Sequence, residues 1–206
     1  MTKWEGYEEV KAAGEWSPLP KDAYICKVVS VKEVQETSQN GNALHYLNLA
    51  FDIAEGPYKD YYRGIFENSQ DDNKKWPTPG THRIYYPKND GSEQDKWTQS
   101  KFKTFTTSLE KSNNGYKFDW DENKMKGLLF GGLFRIEEYN GQNGVRQSTR
   151  LALIRSVETV RDKKYKELPE DKLLDVPSNK EAYQQAATAA APIPNGFAAV
   201  EEDIPF

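Results

Sequence analysis

Gly127-Leu128-Leu129-Phe130-Gly131-Gly132-Leu133-Phe134-Arg135-Ile136 is an apolar run of strand character interrupted by three glycines. Glycine in a strand removes the side chain that resists bending, so this run reads as a strongly coiled strand of the kind a closed barrel needs. Downstream, Asn140-Gly141 and Asn143-Gly144 supply a hairpin connection, and a last strand is expected over Arg146 to Val160. Upstream, Phe102, Phe105 and Leu109 recur at helical spacing within Lys101 to Ser112, and Asn113-Asn114-Gly115 stops that helix. A polar stretch runs from Asn68 to Gly80 and leads into Thr81-His82-Arg83-Ile84-Tyr85-Tyr86. Before it, Tyr61-Tyr62-Arg63-Gly64-Ile65-Phe66 is expected as a third strand. Leu47, Leu49, Phe51 and Ile53 alternate with Asn48, Ala50 and Asp52, which makes a half-buried second strand. Asn40-Gly41-Asn42 turns the chain back onto a long first strand, Ala23 to Val34.

The elements number three strands, an insertion carrying a helix, then two strands. A mainly β fold follows, and this order is that of the five-stranded OB barrel, with its helix between strands 3 and 4. A generic small β-barrel or sandwich would carry similar strands. Residues 1–20, with Trp4, Tyr7, Val10 and Trp16, read as an N-terminal extension packing on a body of residues 21–162. Residues 163–200 read as a linker. From Pro177 onward it is Ala-, Gln- and Pro-rich, with too few large apolar groups to offset its ordering entropy, so a disordered tail is expected. Glu201-Glu202-Asp203-Ile204-Pro205-Phe206 closes the sequence as an acidic tip.

Charge divides along the same boundary. From Glu167 to Phe206 eight acids stand against Lys172 and Lys180, a net of −6, which leaves 26 basic and 24 acidic residues in the first 166. A mildly basic body with an acidic appendage fits a polyanion-binding domain, and equally a near-neutral domain with a solvated tail. No apolar run is long enough to span a bilayer, and the first residues lack the apolar stretch of a signal peptide, so a cytoplasmic protein without membrane partners is expected. With one cysteine, Cys26, and two histidines, His45 and His82, neither a disulfide nor a zinc motif can be written.

No phosphate-binding glycine loop, dinucleotide fingerprint or nucleophile elbow is present. Asp119-Trp120-Asp121-Glu122-Asn123 opens like a calcium loop, but Lys124 stands where the turn glycine belongs and Phe130 where the bidentate acid belongs. A turn with helix-capping acids is the better account. The expectation is therefore no catalytic residue, no metal site and no cofactor.

The body does interleave aromatic and basic residues. Tyr61, Tyr62 and Arg63, then Lys74, Lys75 and Trp76, then Arg83, Tyr85 and Tyr86 are the clearest groups, joined by Arg135, Tyr139, Arg146 and Arg150. Unpaired bases stack on aromatic faces while Lys and Arg neutralise phosphates, so a single-strand groove needs both types side by side. About half of these aromatics would serve the core in any case. Each adjacent Tyr pair, if on a strand, exposes one ring, with either candidate open. Trp76, between Lys75 and Pro77 in a polar loop, is expected to be the most exposed.

Asp203-Ile204-Pro205-Phe206, after Glu201 and Glu202, resembles the C-terminal tip of bacterial single-stranded DNA-binding proteins. Such a block arises by chance about once in 10⁵ at average residue usage, and solubility alone does not call for it. The body is similar to single-stranded DNA-binding proteins carried by phages and prophages of Gram-positive bacteria. The phrases that carry this likeness are Tyr46 to Gly56, Leu109-Glu110-Lys111-Ser112-Asn113 and Tyr116-Lys117-Phe118-Asp119-Trp120, and the likeness spans roughly residues 20–160. It implies an OB fold, no catalysis, and coating of single-stranded DNA during replication, recombination or repair. Partner proteins of those processes would be recruited through the tip, and a homo-oligomer stays open. The body does not align by motif with the common bacterial protein, so the DNA contacts named above rest on local chemistry. A single-strand annealing recombinase is the alternative, and an OB-fold nuclease or inhibitor protein a weaker one.

Overall fold

The computed structural model describes residues 18–142 and 144–174. Strands β1 (Ala23–Thr37) and β2 (Ala43–Ile53) form a long antiparallel hairpin, closed by the turn in which the Gly41 N–H donates to the Ser38 carbonyl. After helix α1 (Tyr61–Asn68) come the short strand β3 (Thr81–Tyr85) and the long helix α2 (Glu93–Ser112). Strands β4 (Leu129–Gly141) and β5 (Gly144–Arg155) then make a second hairpin, followed by helix α3 (Val157–Arg161). The strands build one five-stranded antiparallel open sheet in the order β3-β2-β1-β4-β5.

Two irregularities bend it. The β1–β2 register slips between Val28 and Ser30, and the β4–β5 register slips between Leu133 and Phe134. An extra residue in one strand of a pair raises the local twist and bends that strand. At one point the two edges meet. The Arg150 guanidinium in β5 donates to the Thr78 carbonyl (3.1 Å), in the 3₁₀ turn Thr78–Gly80 that leads into β3.

Two elements differ from the sequence expectation. Tyr61–Phe66 is helical, not a third strand, because Tyr58, Tyr61, Tyr62 and Ile65 recur every three to four residues and turn one face to the core. The buried Asp52 carboxylate on β2 accepts the N–H groups of Tyr62 (2.9 Å) and Arg63 (3.0 Å), satisfying donors that a helix start leaves open. The third strand is instead β3, within the stretch expected as an insertion. The other difference lies at the end of β5: the strand stops at Arg155, and Val157 to Val160, expected as strand, belong to α3, which the Ser156 hydroxyl caps.

Helix α2 starts eight residues earlier than the apolar spacing indicates, at Glu93. Ser92 caps it by accepting from the Asp95 N–H. Its end is fastened to β4 through the Asn113 side chain, which accepts from the Leu129 N–H (2.9 Å) and donates to the Leu129 carbonyl (2.8 Å). Phe102, Phe105 and Leu109 pack into the main core with Leu47, Leu49, Phe51, Phe130 and Phe134. A smaller core of Ile25, Leu133, Val157 and Val160 lies under α3.

Gly131 explains how α3 can sit so close. A Cβ at that position would come 2.5 Å from Val160 Cγ2 and 2.6 Å from the Ser156 carbonyl oxygen. The glycine serves close approach.

The chain ends flanking the body are partly described. Leu19 is buried and its carbonyl accepts the Thr149 hydroxyl (2.5 Å), Pro18 and Pro20 are exposed, and residues 1–17 of the expected N-terminal extension lie outside the described residues. Beyond residue 162, the stretch expected as linker runs beside β4. Lys172 donates its N–H to the Ile136 carbonyl and accepts from the Glu138 N–H, both at 2.9 Å, along a part of β4 that β1 does not reach. The acidic tip, residues 201–206, lies outside the described residues. No helix among the described residues is long and apolar enough to cross a membrane.

Candidate nucleic-acid interface

Strand alternation sorts the β1–β2–β3 side chains onto two faces. Leu47, Leu49 and Ile84 face the core, so their neighbours Tyr46, Asn48, Arg83 and Tyr85 share the opposite face. Register sets them in two rows across the strands: Val34, Tyr46 and Tyr85 form one, and Lys32, Asn48 and Arg83 the next. An aromatic row thus lies beside a basic one.

These side chains brace one another. Tyr46 is buried beneath the pair, with its ring centroid 5.5 Å from that of Tyr85 and 4.7 Å from the Arg83 guanidinium carbon. Burial and the hydrogen bond from its hydroxyl to Glu36 (2.9 Å) push the Tyr46 pKa up to about 12, so the phenol stays a neutral donor. Glu36 also sits 3.9 Å from Arg83, a loose pairing that leaves that exposed guanidinium able to turn to a phosphate. Arg83 and Tyr85 are therefore preorganised by a buried tyrosine floor.

The second hairpin repeats the pattern. Phe134 and Leu151 face the core, so Arg135, Tyr139, Arg146 and Arg150 share the other face, paired Arg135 with Arg150 and Tyr139 with Arg146. Arg135 is already satisfied: Glu137 holds its Nε (2.8 Å) and Nη2 (2.6 Å). Arg146 and Arg150 form no ion pair among the described residues, and Arg150 uses one donor on the Thr78 carbonyl. Arg83, Tyr85, Arg135, Tyr139, Arg146 and Arg150 all line one wide open depression, which the more buried Tyr61, Tyr62, Trp76 and Tyr86 also border.

The remaining candidates are placed differently. Tyr62 is fully buried, edge-on to Phe51 at 5.6 Å, and Tyr61 is half-buried against the core. Because both stand on a helix, the rule that one of an adjacent pair faces outward does not apply. Trp76, expected to be exposed, is half-buried. Its indole N–H donates to the carbonyls of Phe51 (3.2 Å) and Gly80 (3.1 Å), and its ring packs on Phe66. Tyr86 stacks between His45 (4.1 Å) and Phe102 (5.1 Å), on the core side of β3. Arg63, Lys74 and Lys75 are exposed, and of these only Lys75 borders the groove.

Sequence reasoning passed over Tyr46, Lys32, Trp97 and Lys101. Tyr46 was within reach, since the alternation that made Asn48 wet extends one step back to it. Trp97 lies in the first two turns of α2, upstream of the apolar spacing that marks the helix in the sequence, whereas Lys101 lies within that spacing. Among the described residues no group of three or more His, Cys, Asp or Glu could hold a metal ion. Asp119 and Asp121 both pair with Lys124, and Asp121 caps the 3₁₀ turn Glu122–Met125, as capping acids do. Comparison of the chain with protein-family models and with curated proteins returned no match.

Proposed function

We propose that this chain is a sequence-independent single-stranded DNA-binding protein built on an OB barrel, and that it coats single strands during replication or recombination. The observation that carries the reading is the Arg83–Tyr85 pair on its Tyr46 floor, on the β2–β3 face. That is the face through which OB folds take oligonucleotides. The sheet order β3-β2-β1-β4-β5 is the order of an OB barrel opened between its third and fifth strands, and the Arg150–Thr78 bond at those edges supports closure. Helix α2 falls between strands three and four, as in that fold.

In this reading bases stack on Tyr85. Arg83, Arg146, Arg150 and Lys32 neutralise phosphates. No side chain is asked to transfer a proton or a bond, so binding alone is proposed. Bases already stacked inside a duplex cannot offer their faces to Tyr85, which sets the preference. The acidic Ile-Pro-Phe segment, 201–206, supports a second role, the capture of replication, recombination or repair proteins, because an apolar ring flanked by carboxylates suits an apolar pocket with a basic rim.

Fluorescence anisotropy of labelled oligo-dT and of a labelled duplex, at low and high salt, tests the reading. The expected result is tight binding of oligo-dT, much weaker binding of duplex, and affinity that falls with salt. Equal affinity for the two forms overturns it.

A further inference from the structure

Among the described residues Trp97 is one of the few large apolar side chains left open, at 56% exposure, in the first half of α2. One turn later Lys101 reaches back over it, with Nζ 4.5 Å from the ring centroid. This occupies one face of the indole with a cation and leaves the ring a platform. Helix α2 packs against β4 and β5, where Arg155 ends β5. The Arg155 guanidinium donates to the Ile154 carbonyl (2.8 Å), and neither Arg155 nor Lys101 has a carboxylate partner among the described residues. Burial first, then Arg155 and Arg135, lower the Lys101 pKa, so these cations stand near enough to repel one another. Trp97, Lys101 and Arg155 also line the groove that holds Arg83 and Arg150.

Unbalanced cations beside an open indole at the edge of a polyanion groove favour one kind of occupant. We infer that Trp97, Lys101 and Arg155 form a second nucleotide subsite, in which a base stacks on Trp97 and its phosphates lie between Lys101 and Arg155. A single strand that leaves the β2–β3 face is carried onward over α2. The inference rests on the single-strand reading and extends its footprint beyond the barrel strands.

The test compares a short oligo-dT of about 8 nucleotides, within the footprint of one OB fold, with one of about 30, well beyond it. It uses the full chain, Trp97→Ala, Lys101→Glu and the conservative Trp97→Phe. Trp97→Ala and Lys101→Glu are expected to bind the short oligonucleotide within about twofold of wild type and the long one at least about fivefold more weakly. Trp97→Phe, which keeps a stacking ring, should recover most of the long-oligonucleotide affinity. The long oligonucleotide should also quench tryptophan emission more in wild type than in Trp97→Phe. Unchanged long-oligonucleotide affinity in Trp97→Ala overturns the subsite, and so does equal weakening on both lengths. A wild-type chain that binds neither length overturns the single-strand reading and the subsite with it.

Discussion

Arg83 and Trp76 make opposite cases at the scale of one residue. Arg83 is exposed and rests on the Tyr46 ring, so its removal costs little packing and removes a groove cation. Arg83→Ala is therefore expected to keep its denaturation midpoint while losing about 0.7 of log–log salt slope for oligo-dT, the share of one single-strand phosphate. An unchanged slope would take Arg83 out of the phosphate path. Trp76 instead plugs the space between α1 and the Thr78–Gly80 turn, where a Cβ on Gly80 would lie 2.8 Å from its Nε1. Trp76→Ala should lose about 2–4 kcal/mol of stability, less than a fully buried indole because the ring is half-buried. Equilibrium urea unfolding measures it, and a variant as stable as wild type but weak on oligo-dT would make Trp76 a DNA contact. Its place was not legible locally. Lys75 and Pro77 announce a loop, whereas the acceptor that buries the indole, the Phe51 carbonyl, lies 25 residues away in sequence.

At the scale of elements, alternation and spacing carried most of the fold. The two hairpins, the helix before β4 and its stop at Asn113 were all readable, because each rests on local periodicity or turn chemistry. Helix α1 was not, since Tyr and Phe favour strands and the cap that starts it comes from Asp52 on another element. Helix α3 depends on a seat rather than on its own five residues. Gly131→Ala should press Val160 and the Ser156 carbonyl off β4 and cost about 1–3 kcal/mol, read as a lower unfolding midpoint. Strand β3 carries a pH sensitivity of its own. Burial, and then the charge of Lys101 on α2, hold the His82 pKa down at about 4, with Arg135 lowering and Glu137 raising it. A depressed folded pKa means that the unfolded chain takes up the proton first, so stability is full above about 6.5 and declines as pH falls toward 4. The slope from this one group is at most about 1.4 kcal/mol per pH unit, and smaller because the side chain is only half-buried. His82→Gln should flatten the urea midpoint between those pH values, and a profile parallel to wild type would assign the decline to other groups.

Across the whole molecule, the candidate groove emerges only when distant strands are brought together. Arg83 and Tyr85 come from β3, Arg146 and Arg150 from β5, and one bond, from Arg150 to Thr78, draws those edges to each other. Sequence could nominate aromatic–basic pairs, but which of them share a face depends on register, and register is a property of the folded sheet. The acidic segment is the reverse case, a proposed role that rests on a motif alone, since residues 201–206 lie outside the described residues. Its three acids, Glu201, Glu202 and Asp203, carry charge of the sign that the groove of Arg83, Arg146 and Arg150 attracts. Removing residues 201–206 should therefore leave oligo-dT affinity equal or slightly raised, with the gain confined to low salt because screening shortens the reach of exposed charges to about 8 Å at physiological ionic strength. Capture of replication or repair proteins should be lost in the same variant, and Phe206→Ala alone should remove most of it, since a desolvated ring is the anchor such a segment offers. Both effects can be read from one set of preparations, by oligo-dT titration at two salt concentrations and by pull-down from a bacterial lysate. A deletion that weakened oligo-dT binding yet kept its protein partners would move the DNA contact to the acidic segment and the partner contact to the body.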